Sequence, residues 1–419
     1  MEQLLLKRAG KVNPVSSLDY AAAGGYEMLK KAVADPECII PLVTASGLRG
    51  RGGAGFPTGQ KWQMVKAEAA DQKYIVCNAD EGEPGTNKDR VLLCKDPHAV
   101  LEGMAIAGLA VGADHGVLYI RAEYPYVHTI LRKAIADAEA HGFLGEKILG
   151  SGKKFTAEVR TGQGAYICGE ETALLESIEG RRGETRMKPP YPTSAGLWGK
   201  PTVINNVETM ASVPIVMELG ENYRKYGTEK CPGTKLFTVS GHVERPGVYE
   251  APLGTTIGEL LAMAGGMKNQ ATLKAVQTGG CSGPIVGPDK LNVPMAIEEC
   301  AAAGCSLGTG DLMFVDESTN LVDLCQNIVE FYAGESCGKC VPCRLGLHKL
   351  DQMLKDMLNG KLGEESIDEL SALADHTSRC ALCPLGAAGP APLQSVLRNF
   401  RADFIADLPV KSGEEYCHG

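Results

Sequence analysis

Aromatic side chains are scarce in this chain of 419 residues, at 5% of the total with two tryptophans. No apolar run approaches the roughly 20 residues that a helix needs to cross a bilayer, so direct membrane insertion is not expected. A surplus of positive charge is also missing: 42 Lys and Arg stand against 51 Asp and Glu, for a formal net charge of −9. Nucleic-acid binding wants clustered bases to neutralise phosphates, which argues against a nucleic-acid partner. The opening, Met1-Glu2-Gln3-Leu4-Leu5-Leu6-Lys7-Arg8, sets an acid before a short apolar patch and bases after it. A secretory leader has the opposite charge order and a longer apolar core, so the expectation is a cytoplasmic protein. In that reducing compartment the 15 cysteines are not expected to form a disulfide framework.

Glycine is what the chain has in excess, with 51 residues, a sign of tight turns and close backbone approaches. Two to four domains are expected at this length, and four textures divide the chain. Residues 1–45 read as a helical lead-in, with Leu, Ala and Lys at helical spacing from Tyr26 to Val33. Residues 46–232 alternate strand-like segments (Lys73 to Asn78, Gly116 to Arg121) with Ala-rich helical ones (Asp96 to Ala110, His128 to His141). That rhythm predicts an α/β layer on a largely parallel sheet. Residues 233–318 read as strand, turn, strand and short helix from Lys235 to Ala264, a small β-grasp-like module. Residues 319–419 have helical periodicity, hold the clustered cysteines and suggest a small helical bundle.

Four polar motifs punctuate the α/β region. The first, Gly50-Arg51-Gly52-Gly53-Ala54-Gly55-Phe56-Pro57-Thr58-Gly59-Gln60-Lys61-Trp62, satisfies G-x-G-x-x-G at 50, 52 and 55. Missing side chains let backbone N–H groups approach a phosphate, and the helix that follows adds partial positive charge at its start. Arg49, Arg51 and Lys61 are the compensating cations. Unlike a Rossmann loop, this one follows a predicted helix (Ile39 to Ser46) and not a strand. The second motif, Asn78-Ala79-Asp80-Glu81-Gly82-Glu83-Pro84-Gly85-Thr86, puts three acids at a strand's C-terminal end. Ligands of α/β folds bind there, and carboxylates can accept hydrogen bonds from ribityl or ribose hydroxyls; a solvated acidic turn is the plain alternative. The third runs from Gly162 to Thr172 and opens a helix with Glu170 and Glu171. The fourth, Lys200 to Thr209, contains Asn205-Asn206.

Cys337-Gly338-Lys339-Cys340-Val341-Pro342-Cys343 is C-x₂-C-x₂-C, and Cys380 follows after 36 residues. Three thiolates at this spacing can wrap one face of an iron–sulfur cubane, with a remote fourth completing the set. Cys340/Cys343 with Cys380/Cys383 would equally make two C-x₂-C pairs for a tetrahedral zinc. Spacing alone leaves both open.

The four motifs in this order resemble those of the 51-kDa flavoprotein family. That family includes the NADH-binding subunit of respiratory complex I and the diaphorase subunits of NAD-linked hydrogenases and formate dehydrogenases. The resemblance covers nearly the whole chain and implies an α/β multidomain protein. Its parts are a Rossmann-like FMN- and NADH-binding domain, a soluble-ligand-binding β-grasp domain of structural role, and a C-terminal helical bundle with a [4Fe-4S] cluster. It implies that Gly50, Arg51, Gly52 and Lys61, with the adjoining Gly53, contact the FMN phosphate region. Asn78, Asp80, Glu81, Tyr166, Gly169, Glu170, Asn205 and Asn206 would line the rest of the flavin. Phe56, Glu83, Glu171, Lys188 and Tyr191 match positions that hold NADH, with Glu83 and Glu171 shaping the pocket. An aromatic of the family is replaced by Met64. Family matching gives Cys337, Cys340, Cys343 and Cys380 as cluster ligands, and Cys383 departs from the usual Cys-Ala-Leu-Gly. A flavin next door favours iron–sulfur over zinc, which cannot carry an electron.

The implied activity is NAD(H):acceptor oxidoreduction with FMN, a [4Fe-4S] cluster and NAD(H). The implied partners are a thioredoxin-like [2Fe-2S] subunit and a larger iron–sulfur or catalytic subunit. The segment Gly386 to Leu397 resembles the soluble hydrogenase and formate dehydrogenase branch, possible electron bifurcators among them. The NADH-binding subunit of respiratory complex I, peripheral at the inner face of the membrane, is the alternative. A colourless, zinc-containing ligand-binding scaffold is the remote one.

Overall fold

The computed structural model describes residues 3–409. Its first sheet has four parallel strands, β1 (Tyr74–Ala79), β2 (His115–Ile120), β3 (Thr156–Thr161) and β4 (Thr202–Asn206), in the order β3-β2-β1-β4. Helices join them, chiefly Pro97–Val111, Pro125–Ala140 and Glu171–Ile178, and Val207–Leu219 follows β4. Successive side chains of a strand point to opposite faces, and both faces here are covered. Ile75, Cys77, Leu118, Ile120 and Val203 join a core with the helices Pro97–Val111 and Val207–Leu219 and with the lead-in. Val76, Val117, Tyr119 and Ile204 join a second core with the C-terminal helices. This double burial gives β1 and β2 their near-continuous apolar runs.

The predicted helix before the glycine loop is present as Ile39–Ser46. The lead-in is not a separate body: Tyr20, Tyr26 and Leu29 lie in the same core as the sheet, and the Glu250 carboxylate accepts from the N–H groups of Leu4, Leu5 and Leu6. Helix Pro97–Val111 crosses Val207–Leu219 at Gly103, where an added Cβ would lie 1.9 Å from the Met210 carbonyl oxygen.

A second, mixed sheet holds β5 (Thr234–Gly241), β6 (Gly247–Pro252), β7 (Leu273–Thr278), β8 (Ile285–Val286) and β9 (Asp311–Asp316) in the order β6-β5-β9-β7-β8. Strands β5 and β9 are parallel and the other pairs antiparallel. Helix Ile257–Met263 packs on it, started by a capping box between Thr256 and Glu259. The arrangement is the β-grasp-like module read from the sequence. The last region is helical, with Leu321–Gly334, Val341–Leu358, Ile367–Cys380 and Ala391–Asn399 around Val329, Leu350, Leu354 and Leu393.

Candidate functional site

Strands β1 and β4 are neighbours, yet the chain reaches β4 only after building β2 and β3 on the other side of β1. Connections therefore diverge at the β1/β4 C-terminal ends, and a crevice opens there. The register pairs Cys77 with Asn205 and Asn78 with Asn206, which sets the second and fourth motifs side by side. The glycine loop closes over the crevice, with a Cβ on Gly52 reaching the Asn206 Cβ at 3.1 Å. The third motif enters through Asn78, whose amide donates to the Gly169 carbonyl at 2.8 Å. All four motifs thus meet at one place.

The side chains within it are sorted by their partners. Trp62 donates to Asn205 Oδ1 at 2.9 Å. Asn206 caps the helix Val207–Leu219 through the Glu208 N–H, accepts from Lys88 at 3.1 Å and donates to Asp89 at 2.6 Å. Asp80 is half-buried, and its buried Oδ2 has no hydrogen-bond partner among the described residues; burial pushes its pKa up to about 7 against the pull of Arg121. Lys61 donates to the Ile204 carbonyl at 3.1 Å and stands 3.9 Å from Glu171. Lys188 bridges Glu170 at 3.0 Å and Glu171 at 2.7 Å. Phe56 and Tyr191 are exposed at the rim, 40% and 56% accessible and free to meet a ligand, as is Met64.

Several expectations are corrected. The Arg51 guanidinium turns into the interior, donating to the Tyr223 hydroxyl and the Pro232 carbonyl and not toward the crevice. Arg49 is likewise occupied, by the Gly55 carbonyl and by Glu298. The Glu81 carboxylate caps the helix Lys88–Lys95 through the Asp89 and Arg90 N–H groups, which leaves only its backbone toward the crevice. Burial, with Asp89 close by, holds that carboxyl above the usual range. Glu83 is buried between the two sheets and bonded to Ser282 and Thr309 of the β-grasp module.

Cys337, Cys340 and Cys343 line a small cavity with Ile167, Lys339 and Cys383. Cys340 precedes the helix Val341–Leu358 and Cys343 sits in its first turn. Cys380 is not on the cavity wall. As the last residue of the helix Ile367–Cys380 it is exposed, with His376 Nδ1 at 3.9 Å from its sulfur. Cys383, at the start of the helix Pro384–Ala388, takes the inward position on the cavity wall. The paired-cysteine zinc arrangement needs both Cys380 and Cys383 inward and is not formed. Among the described residues no three Cys, His, Asp or Glu side chains converge tightly enough to grip a single metal ion; the four thiols are spread around the cavity wall.

Sequence reading missed Lys88, Asp89 and the β-grasp hydroxyls, and named Glu208 only as part of the fourth motif with no role of its own.

Comparison with known proteins matches residues 43–215 to the Nuo51 FMN-binding domain, 236–289 to the SLBB domain and 323–407 to the NADH-ubiquinone oxidoreductase-F iron-sulfur binding region. The F subunit of NADH-quinone oxidoreductase from Streptomyces coelicolor is 48% identical over 92% of this chain and 86% of its own length. The HndC subunit of the NADP-reducing hydrogenase from Solidesulfovibrio fructosivorans is 43% identical over 98% and 84%. The crystal structure of an NAD+-reducing [NiFe]-hydrogenase in the H2-reduced state superposes with a TM-score of 0.84 at 36% identity, over 91% of this chain. This chain spans 65% of the length of that solved chain.

Proposed function

The chain belongs to the 51-kDa flavoprotein family of NADH-quinone oxidoreductase F subunits and their hydrogenase counterparts, and from that premise we propose how its residues divide the work. It is an NAD(H):acceptor oxidoreductase subunit whose cofactors are FMN and a [4Fe-4S] cluster. When bound, these groups together convert the two-electron transfer from NADH into single-electron steps.

The crevice fits a flavin. Its loop lacks side chains at Gly50, Gly52 and Gly53, where backbone N–H groups can meet a phosphate, and the unpartnered buried Asp80 Oδ2 is an acceptor waiting for a hydroxyl donor. We assign the loop Gly50, Gly52 and Gly53 with Lys61 to the phosphate end. Asn78, Asp80, Tyr166, Gly169, Glu170, Asn205 and Asn206 go to the remainder, with Glu81 acting through its backbone. Lys188 keeps Glu170 and Glu171 fixed side by side, so the pocket edge presents oriented acceptors to a dinucleotide. Phe56 and Tyr191 offer stacking faces at its mouth, and Glu83 closes its inner end. None of these groups has to move a proton for hydride transfer itself; they bind, orient and exclude water.

Four thiols around one cavity form a Cys₄ donor set suited to a four-iron cluster. We assign it to Cys337, Cys340, Cys343 and Cys383, and the observation that carries the fourth is the inward position of Cys383 against the exposed Cys380.

The relatives are named as subunits of larger enzymes. We place this chain beside a thioredoxin-like [2Fe-2S] subunit and a larger iron–sulfur or catalytic subunit. The segment Gly386–Leu397 favours a soluble hydrogenase or formate dehydrogenase complex in the cytoplasm. The identity to respiratory F subunits supports the complex I alternative. Among the described residues no helix is long and apolar enough to cross a membrane.

The test is an anaerobic visible spectrum with iron and zinc analysis, before and after NADH, on the wild type and on Cys383→Ser and Cys380→Ser. Flavin and iron–sulfur absorption bleached by NADH is expected, with iron lost in Cys383→Ser and kept in Cys380→Ser. A colourless, zinc-loaded protein indifferent to NADH overturns the redox reading; iron lost only in Cys380→Ser overturns the ligand assignment.

A further inference from the structure

The β-grasp module reaches into the crevice with two loops, Gly279–Gly283 after β7 and Ser306–Gly310 before β9. Glycines let them in. A Cβ on Gly280, where φ is +100°, would lie 2.6 Å from the Glu83 carboxyl carbon, and one on Gly308 would meet the Gly279 carbonyl oxygen at 1.9 Å. The same loop touches the flavin loop, since a Cβ on Gly53 would lie 3.9 Å from the Thr309 methyl.

Glu83 is the acid these loops enclose. Its Oε1 accepts from the Ser282 N–H at 3.3 Å and the Ser282 hydroxyl at 3.4 Å, and its Oε2 accepts from the Thr309 hydroxyl at 3.1 Å. The groups facing it are Asp311 on β9, Cys281 beside Ser282, Tyr166 from the third motif and Tyr332 on the helix Leu321–Gly334. Burial first, then the nearby Glu83 carboxylate, pushes the Cys281 thiol up to about 12 and the Tyr166 phenol upward; Tyr332 is raised by burial, then by Tyr166, then by Glu83. None of these neighbours is a cation. The negative form of Glu83 is therefore held by the two β-grasp residues alone, and burial with Asp311 close by pushes its pKa up to about 7.

One proton is contested. The Thr309 hydroxyl lies 3.1 Å from Glu83 Oε2, 3.1 Å from Asp311 Oδ2 and 3.4 Å from the Gly279 carbonyl, which already accepts from the Thr309 N–H, and a hydroxyl has a single proton to donate. The Thr86 hydroxyl also bonds Asp311 Oδ2, which supplies that carboxylate and frees the Thr309 proton for Glu83.

We infer that Thr309 and Ser282 are positioning residues that hold the Glu83 carboxylate in the dinucleotide pocket, so that the β-grasp module is a wall of the NADH site and not only a spacer. This rests on Glu83 lining that pocket, as proposed above. A hydrogen bond to a charged group strongly favours the ionised form. Losing the Thr309 hydroxyl leaves Glu83 both less ionised and less fixed.

The test is calorimetric titration of NAD+ into the FMN-loaded full chain from pH 6 to 9. Thr309→Val is expected to weaken binding about tenfold near pH 7.5 and to move the pH midpoint upward, whereas Thr309→Ser stays within about twofold of wild type. Fully flavin-loaded Thr309→Val with wild-type affinity and midpoint overturns the inference. If Thr309→Val fails to retain FMN, Ser282→Ala decides: it keeps the backbone donor, so a smaller loss with the same upward midpoint shift is expected, and an unmoved midpoint is refutation. Wild-type protein that binds FMN but not NAD+ would instead sink the function proposed above.

Discussion

Replacing Lys88 by Met is the sharpest single perturbation of the flavin crevice. The Lys88 ammonium is buried, 2.7 Å from Asp89, 3.0 Å from Glu208 and 3.1 Å from the Asn206 side-chain oxygen. Burial opposes its charge, but Asp89 and Glu208 outweigh that and keep it protonated. At an effective dielectric constant of about 20, the two ion pairs attract by roughly 6 and 5.5 kcal/mol before desolvation is counted. The net cost of deleting one member of such a buried set is about 3–5 kcal/mol, since it strands the opposite charges. Glu208 retains Lys235 at 3.0 Å, so the stranded group is Asp89. Asn206, which leans on both Lys88 and Asp89 while it caps a helix and abuts Gly52, then loses its fixed orientation. FMN affinity should fall at least tenfold, or about 1.4 kcal/mol, with faster hydrogen exchange at the start of the helix Val207–Leu219. Adding Asp89→Asn removes the stranded charge and keeps an oxygen for the Asn206 amide, so the double variant should bind FMN better than Lys88→Met alone. Fluorescence titration of FMN into the apo chain measures both. Coupling below about 0.5 kcal/mol between the two substitutions would refute the electrostatic account.

Three further outcomes follow from named contacts. Gly103→Ala forces a Cβ against the Met210 carbonyl, and such overpacking should cost about 1–3 kcal/mol, read as a lower apparent Tm with no change in iron content. Lys188→Met frees Glu170 and Glu171 to repel each other; the KM for NADH should rise by about tenfold or less, because Lys188 is partly exposed and its pairs are screened, while an unchanged KM would remove it from the pocket. Asp80 has a folded pKa near 7 above its unfolded value of about 3.9. The folded state thus binds a proton that the unfolded state has released, and stability is lost as pH rises toward 7. The apparent Tm of the flavin-free chain should fall between pH 5 and 7 more steeply than that of Asp80→Asn; equal slopes would show that Asp80 is not the group titrating.

The parallel sheet was legible because both of its faces are buried, which writes Tyr74–Ala79 and His115–Ile120 as apolar runs. Strand β3 was not: Ala157 and Val159 alternate with Thr156, Glu158 and Arg160, but the run is short and its Glu158, Arg160 and Thr161 sit at an open edge. Strand β4 was read only as a polar motif, because its two asparagines belong to the crevice and not to the core. The glycine loop announced a cradle but not where its arginines would point: a guanidinium can turn inward when a carbonyl and a phenol are there to receive it, and Arg51 has Pro232 and Tyr223. Which segments share a core depends on contacts far apart in sequence, so the grip of Ser282 and Thr309 on Glu83 could not be read from spacing.

The fourth cysteine shows why counting residues is weaker than locating element ends. Cys380-Ala381-Leu382 imitates the family's Cys-Ala-Leu-Gly, but glycine is missing after it, and Cys383-Pro384-Leu385-Gly386 restores the Leu-Gly step three residues on. That step has a structural reason. A Cβ on Gly386 would lie 2.8 Å from the Cys343 Cβ and 3.1 Å from its sulfur, so only glycine lets the turn approach the cluster cavity. Pro384 begins a helix, where its missing N–H costs nothing, and Cys383 is the residue just before it, at the cap position beside the cavity. Cys380 closes the preceding helix and points to solvent. The residue that meets the cavity is therefore fixed by a glycine contact and a helix start, and iron retention in Cys380→Ser is its direct consequence.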